Sequence, residues 1–590
     1  MMTLSINALK KHIPVLLIIL LGLIVYTNSF FNQFVLDDPS QILTNPLVHS
    51  IKNIPTLFLG SSFGGGNSLS GLYYKPLMTT CFTILYSLFG ANPFPFHFFQ
   101  VILHILNVIL VFILLRHIFT KNMALIISLV FLVHPVNVDA VSYISAFQDT
   151  LYMFFGLFAI VIASKSSMNM FDYILYVCLL SLSLLSKETG VLFIFTVLIY
   201  RMLFIEQNRT KVSLIKRYKT FLTINLTILS CYIALRYLAV GVPLSKDLIF
   251  PITRLSFAER LINIPAILFY YFKTAFFPRD LAVGQQWIIK SINFQDFYLP
   301  LILDATFFII IILFGRKLYK DRKYFKAFLF FLTWLVLGLG IHLQLVPLDA
   351  TVADRWFYFP LIGLLGIAGV VTESLENFKL RNIYLVSIVI IIAFSLRTIV
   401  RNTNWTNGLI LASHDIQVTK DSFVLENNLG YELINAGLYD EAEIHIKKST
   451  ELAPYWWLNW NNLGVVYRHK GSSINHNQNF IDKAESSFRK AIENTNTFYL
   501  PYENLAELLL NFADPNSAID FIHQTSNKMP LDSLLWYDLA LSYYKVGNYQ
   551  QAIEAAEQAY LLNPKDEQSS KLYQALLSND KRIILQTPAY

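Results

Sequence analysis

Asp37 and Asp38 stand side by side in FVLDDPSQILTNP (34–46), just past the first long apolar run of the chain. A carboxylate within hydrogen-bond reach of a hydroxyl can serve as a general base, and two together can bridge a divalent cation. Charge at bilayer depth is costly, so an acid pair in the first loop of a membrane protein is a functional hypothesis by default. Asp-Asp-Pro is also ordinary turn chemistry. The pair therefore takes its meaning from its surroundings.

Other chemically capable residues cluster beside apolar runs. They are Tyr74 and Lys75 in YYKPL (73–77), His134, Asp139 and Asp149 in HPVNVDAVSYISAFQD (134–149), Lys187 and Glu188 in LLSKETG (184–190), and Asp354 and Arg355 in VPLDATVADRWFYFPLIG (346–363). Each has a structural reading too. His134 sits at a helix end, where a lone histidine is commonly structural, and Asp149 opens an apolar run, where a carboxylate suits a helix N-terminus. Lys187 can pair with Glu188, and Arg355 can pair with Asp354 or snorkel to the interface. The glycine-rich SSFGGGNSLSG (61–71) matches no phosphate-cradling motif and reads as a mobile exterior loop.

The elements that must position these residues are membrane helices. Of the 590 residues, 55% are hydrophobic and only 14% charged, against about 25% charged in a soluble domain. Apolar runs near 13–34, 96–116, 123–140, 148–164, 171–186, 188–205, 220–240, 298–315, 326–346, 355–372 and 382–400 predict about eleven spans. The first run reads as an uncleaved span with a cytoplasmic N-terminus. The strong basic clusters, such as Arg316 to Lys326, follow even-numbered spans, as the positive-inside rule requires. Residues 258–277 are apolar enough to cross, but counting them breaks that phasing, so they read as an interfacial or re-entrant helix. The acid pair, the other candidates and the C-terminal tail then share the exterior face.

The formal charge of +7 comes from these topology-setting clusters, and no nucleic-acid-reading motif is present. Cys81, Cys178 and Cys231 lie in separate apolar stretches, which supports neither a disulfide framework nor a zinc site.

From Phe423 a period of about 34 residues sets in. Leu429-Gly430, Leu463-Gly464, Leu505-Ala506 and Leu539-Ala540 share one register position, and Ala442, Ala484, Ala518 and Ala552 another. Pro454, Pro530 and Pro564 close three units, and the second carries the insertion SSINHNQN. This is the tetratricopeptide pattern, whose stacked units form a groove for extended peptide. The fold class is therefore all-α: a multispanning bundle over 1–410, then an α-solenoid of about four repeats over 420–580. Tyr455, Trp456 and Trp457 read as an interface between the two or, equally, as core residues that open a repeat helix.

FVLDDPSQILTNP, YYKPL, HPVNVDAVSYISAFQD, LLSKETG, VPLDATVADRWFYFPLIG and RNTNWTNG (401–408), in that order and followed by the repeats, resemble the transmembrane and tetratricopeptide repeat O-mannosyltransferases. These belong to the multispanning polyprenyl-phosphate-dependent glycosyltransferases, the GT-C-like class. The resemblance implies a single displacement, inverting at the sugar, on the exterior face. The donor is a lipid-linked mannosyl phosphate and the acceptor a Ser or Thr hydroxyl of an exported protein held in the repeat groove. Either Asp37 or Asp38 is then the base, the first by family analogy. Repulsion between the two would raise one pKa.

Lys75, Lys187 and Arg355 are the candidate phosphate contacts, since cations steady the charge on a departing phosphate. Lys75 stands where the family usually has Arg, so it keeps the charge and loses the bidentate fork. No third carboxylate stands at a ligand position, which favours a site without metal and with no required cofactor. A divalent ion bridging the pair is the alternative.

Three rivals differ in class. A related transferase would act on a glycan or lipid acceptor, a membrane-anchored assembly factor would use only its repeats, and a transporter would place its acids within the membrane. The compact repeat array and plain N-terminus point to a bacterial inner membrane with the repeats in the periplasm. The secretory lumen is the topological equivalent in a eukaryote.

Overall fold

The computed structural model describes residues 2–62, 73–206, 211–241, 249–375, 380–419, 421–473, 477–495, 498–528, 530–564 and 566–578. Most of the glycine-rich segment 61–71 and part of the insertion in the second repeat lie outside the described residues. The chain divides into two compact units, the first running to Lys420 and the second from Asp421. Helix Gly408–Val418, which runs past the expected bound at 410, belongs to the first.

Nine helices of the first unit are long and apolar enough to cross a membrane among the described residues, or ten with one bent pair counted as a span. This is a multi-pass membrane protein. Every one of the eleven predicted runs coincides with a helix, yet two depart from a plain span. Lys121–Val133 and Pro135–Ser142 meet at 50°, because Pro135 has no N–H to continue the ladder and His134 turns extended before it. Met170–Ser186 has only 17 residues. Pro76–Phe89, a 14-residue apolar helix, was not anticipated from the sequence.

Phe257–Phe276 starts at a capping box formed by Ser256 and Glu259. It packs on Phe294–Leu318 through Phe272 and Phe307, 4.3 Å between ring centroids, and it is not among the helices that pass the length and hydropathy test for a span.

Helix Pro93–Leu115 carries a buried polar stripe that fixes the bundle's register. Gln100 donates to the carbonyls of Ala140 and Tyr143, both at 2.7 Å, and Asn107 donates to Thr150 O at 2.8 Å. His104 lies 2.7 Å from Tyr358 Oη and 3.0 Å from Leu132 O. Each bond satisfies a group that burial would otherwise penalise, and together they pin the bent segment 134–146. Elsewhere glycines allow close approach. A Cβ on Gly363 would lie 2.6 Å from the Leu335 backbone nitrogen, where Trp334 Nε1 also donates to Phe359 O at 2.9 Å.

The second unit is a stack of helix pairs: Phe423–Asn435 with Tyr439–Leu452, Trp457–Ser473 with Gln478–Glu493, Leu500–Phe512 with Pro515–Ser526, and Ser533–Lys545 with Tyr549–Leu562. The repeating alanines Ala442, Ala484, Ala518 and Ala552 are fully buried. Gly430 packs against Ile446 and Gly464 against Phe488, closer than a Cβ would permit. A last helix, Glu567–Ser578, covers the end of the stack. Trp456 and Trp457, for which the sequence left interface and core both open, are core residues of the repeats. Trp456 meets Phe423 edge to face, and Trp457 stacks on Phe498.

Candidate active site

The two aspartates have different environments. Asp38 is fully buried. Its Oδ1 accepts from the Ser145 backbone N–H at 2.7 Å and from the Ser145 hydroxyl at 2.6 Å, and its Oδ2 accepts from Val35 N–H at 3.0 Å. Asp38 N–H closes the same turn onto Val35 O at 3.0 Å. This double closure holds Leu36 at φ 56, a left-handed conformation costing about 1–2 kcal/mol for a residue with a Cβ. The strain sits directly before the acid pair.

Asp37 is only part-buried. Its backbone N–H donates to Tyr143 Oη at 3.3 Å, and the same phenol hydrogen-bonds its carboxylate. Burial raises the Asp37 pKa above the ordinary carboxylate value, while Tyr143, Arg355 and Lys75 oppose the rise and Asp349 adds to it. Burial pushes Asp38 up to about 7 against the pull of its Ser145 and Val35 donors. Asp37 is the acid open to a ligand, and Asp38 is the one that fastens the loop.

Arg355 and Lys75 act on Asp37 by charge, and Lys187 acts on Lys75, each of the three set by a break between helices. Arg355 lies in the first turn of the short helix Asp354–Phe357, with its N–H and Nη1 both directed at Asp139 Oδ2, at 3.0 and 3.3 Å, and its guanidinium 5.8 Å from the Tyr143 ring centroid. Its partner is Asp139, not the adjacent Asp354. Asp354 instead accepts from Tyr270 Oη at 2.5 Å.

Lys187 lies in the extended break after Met170–Ser186 and pairs with Asp149 at 2.6 Å rather than with Glu188, which is exposed. Lys75 precedes Pro76–Phe89, with its ammonium 4.5 Å from the Tyr73 ring centroid. Burial lowers the Lys75 pKa, and the charges of Glu188, Lys187, Asp149 and Asp349 all act on it. Asp37, Lys75, Lys187, Glu188, Asp149, Asp139 and Arg355 thus converge at one end of the bundle.

Two nominated residues serve the scaffold instead. His134 places Nε2 2.9 Å from Ala275 O and accepts Val136 N–H at Nδ1, so both ring nitrogens are used. Tyr74 is fully buried and donates to Phe58 O at 3.1 Å.

Four residues of the cluster escaped the sequence reading. Tyr143 and Ser145 lie inside HPVNVDAVSYISAFQD, and Asp349, which accepts from Tyr73 Oη at 2.9 Å, lies inside VPLDATVADRW. Those motifs were the available signal. His342 had none. It is buried, stacks on Trp356 at 4.8 Å and is kept neutral by burial and by the charges of Lys187 and Arg355. Among the described residues no group of three His, Cys, Asp or Glu side chains converges as a metal ligand set.

Residues 75–234 match the family described as dolichyl-phosphate-mannose-protein mannosyltransferase, and 427–455 and 533–566 match tetratricopeptide repeat families. The chain is thus similar to a mannosyltransferase family over part of its membrane unit and to tetratricopeptide repeats in its second unit. It is 24% identical to protein O-mannosyl-transferase TMTC3 of Mus musculus over 92% of this chain and 66% of that protein. It is 25% identical to protein O-mannosyl-transferase F38B6.6 of Caenorhabditis elegans over 74% of this chain and 62% of that one. The chain therefore spans less than two thirds of these relatives. A thermophilic tetratricopeptide protein of Thermus thermophilus aligns over 32% of the chain at 14% identity and a TM-score of 0.26, too low to support any inference. The matched segment begins at Lys75 and contains Asp139, Asp149 and Lys187, while Asp37, Asp38 and Arg355 lie outside it.

Proposed function

We propose that this protein transfers a mannosyl group from a polyprenyl-phosphate donor to Ser or Thr hydroxyls of polypeptides, on the non-cytoplasmic face of its membrane. The observation that carries this reading is the contrast between the aspartates. Asp38 has its carboxylate spent on three donors, while Asp37 remains part-exposed beside Lys75, Arg355 and Tyr143.

In the reaction, the acceptor oxygen attacks the anomeric carbon as Asp37 takes its proton. The bond from that carbon to the phosphate oxygen breaks, and the polyprenyl phosphate leaves with the bonding pair, inverting the anomeric centre. Lys75, Lys187 and Arg355 stabilise the charge gathering on the phosphate. Asp149 and Asp139 orient two of these cations without removing their charge. No cofactor or metal is needed for this step.

The raised Asp37 pKa suits a base, because a stronger base takes a proton more readily once it is ionised. The repeats and the similarity to proteins named protein O-mannosyl-transferase favour a polypeptide acceptor over a glycan. The test is the purified chain in nanodiscs with a panel of polyprenyl-phosphate sugars and Ser/Thr peptides, read by mass spectrometry. A hexose added to a hydroxyl from the mannosyl donor is expected. Transfer to glycan alone, or from none of the donors, overturns the reading.

A further inference from the structure

In the repeat unit, the first helix of each pair packs against the first helix of the next, so these helices line the inner face of the stack. Their polar side chains form a row. Asn462 donates to Asn427 at 3.0 Å and Asn504 to Asn461 at 2.8 Å. Beyond Asn504 the row turns acidic. Asp538 occupies the register position held by Asn462 and Asn504 in the preceding repeats, since each directly precedes the Leu-Gly or Leu-Ala pair.

The Asp538 side chain is only 4% exposed and has no hydrogen-bond donor among the described residues. A buried carboxylate left so is costly, and the opposite charge of Lys545 only partly offsets that cost. Glu507 and Asp532 act on it with like charge. Burial and then the carboxyl group of Asp532 beside it raise the Glu503 pKa.

Two cations stand nearby, and both are turned elsewhere. Arg468 pairs with Glu507, and Lys545 donates to Leu510 O at 2.9 Å. Four carboxylates therefore face two cations, and the most buried carboxylate has no donor.

We propose that Glu503, Asp532 and Asp538 form a clamp for the Lys or Arg side chain of an extended acceptor polypeptide lying along the inner face. This rests on the reading that the chain modifies polypeptides, and it adds which ones: segments with a basic residue near the Ser or Thr that is modified. The ammonium or guanidinium supplies the donors Asp538 lacks and sets an opposite charge beside Glu503 and Asp532. The neighbouring amides suit the peptide backbone on either side.

The experiment uses the full chain in nanodiscs and a Ser/Thr-rich host peptide with Lys, Arg, norleucine or Glu at its centre, followed by fluorescence anisotropy. The Lys and Arg peptides are expected to bind roughly tenfold or more tighter than the norleucine peptide, as a charge-assisted bond to a buried acid allows, and the Glu peptide weaker still. Asp538→Asn, which removes a buried charge and keeps the shape, should abolish that preference with the thermal midpoint unchanged or higher. Equal binding of Lys and norleucine peptides to the unaltered chain, no binding of either, or a preference that survives both Asp538→Asn and Glu503→Gln overturns the clamp. A basic preference without sugar transfer upholds the clamp and counts against the proposed activity.

Discussion

Ser145 directs both its backbone N–H and its hydroxyl at one oxygen of Asp38, 2.7 and 2.6 Å away, across 107 residues of chain. This staple joins the first loop to the break after the bent helix pair, and it leaves the neighbouring Asp37 as the part-exposed acid. The two carboxylates therefore have separable duties.

Asp38→Asn and Ser145→Ala should lower stability by about 1–3 kcal/mol, the cost of a buried polar group left without its partner. Asp37→Asn should not. Thermal unfolding of the three variants in the same detergent checks this, and equal midpoints for Asp37→Asn and Asp38→Asn count against the division.

The pH dependence should pass through Tyr143. Its phenol donates to Asp37 and lowers that pKa, opposing the rise that burial causes. Tyr143→Phe removes the donor, so the Asp37 pKa rises further. A base must be ionised to act, so activity falls at acid pH in both proteins, and the falling limb of kcat/KM moves to higher pH in the variant. A limb that stays put, or moves to lower pH, contradicts Asp37 as the base.

Lys187 and Asp149 form a buried ion pair at 2.6 Å. Lys187→Met leaves Asp149 buried and unpaired, which costs about 3–5 kcal/mol. The double variant Lys187→Met with Asp149→Asn should recover most of that stability and none of the turnover. Recovery of both would make Lys187 structural only.

Glycine at 464 is required by packing, because a Cβ there would lie 2.5 Å from the Phe488 ring. Gly464→Val should destabilise the repeat unit by about 1–3 kcal/mol or more through overpacking. Limited proteolysis should then cut the repeats first, and unchanged resistance would refute the assignment.

The helices and repeats were legible because periodicity is local: long apolar runs, basic punctuation and a recurring Leu-Gly register suffice. Pro76–Phe89 escaped because its 14 residues carry three threonines and fall short of a span. The site was legible as a set of motifs but not as a set of contacts. Arg355 finds Asp139 across 216 residues, where adjacency suggested Asp354. Lys187 passes over Glu188 for Asp149. His134 looked chemical because of its type, and its two backbone contacts are what occupy it. No local pattern encodes such partners, since the bundle's packing selects them.

The most direct measurement is mannosyl transfer by Asp37→Asn in the reconstituted full chain, followed by intact mass of the acceptor. Loss of roughly 10²–10⁴-fold in turnover, the usual worth of a general base, with an unaltered thermal midpoint is the predicted result. Turnover within a factor of about two of the unaltered protein, far short of that range, would contradict the account.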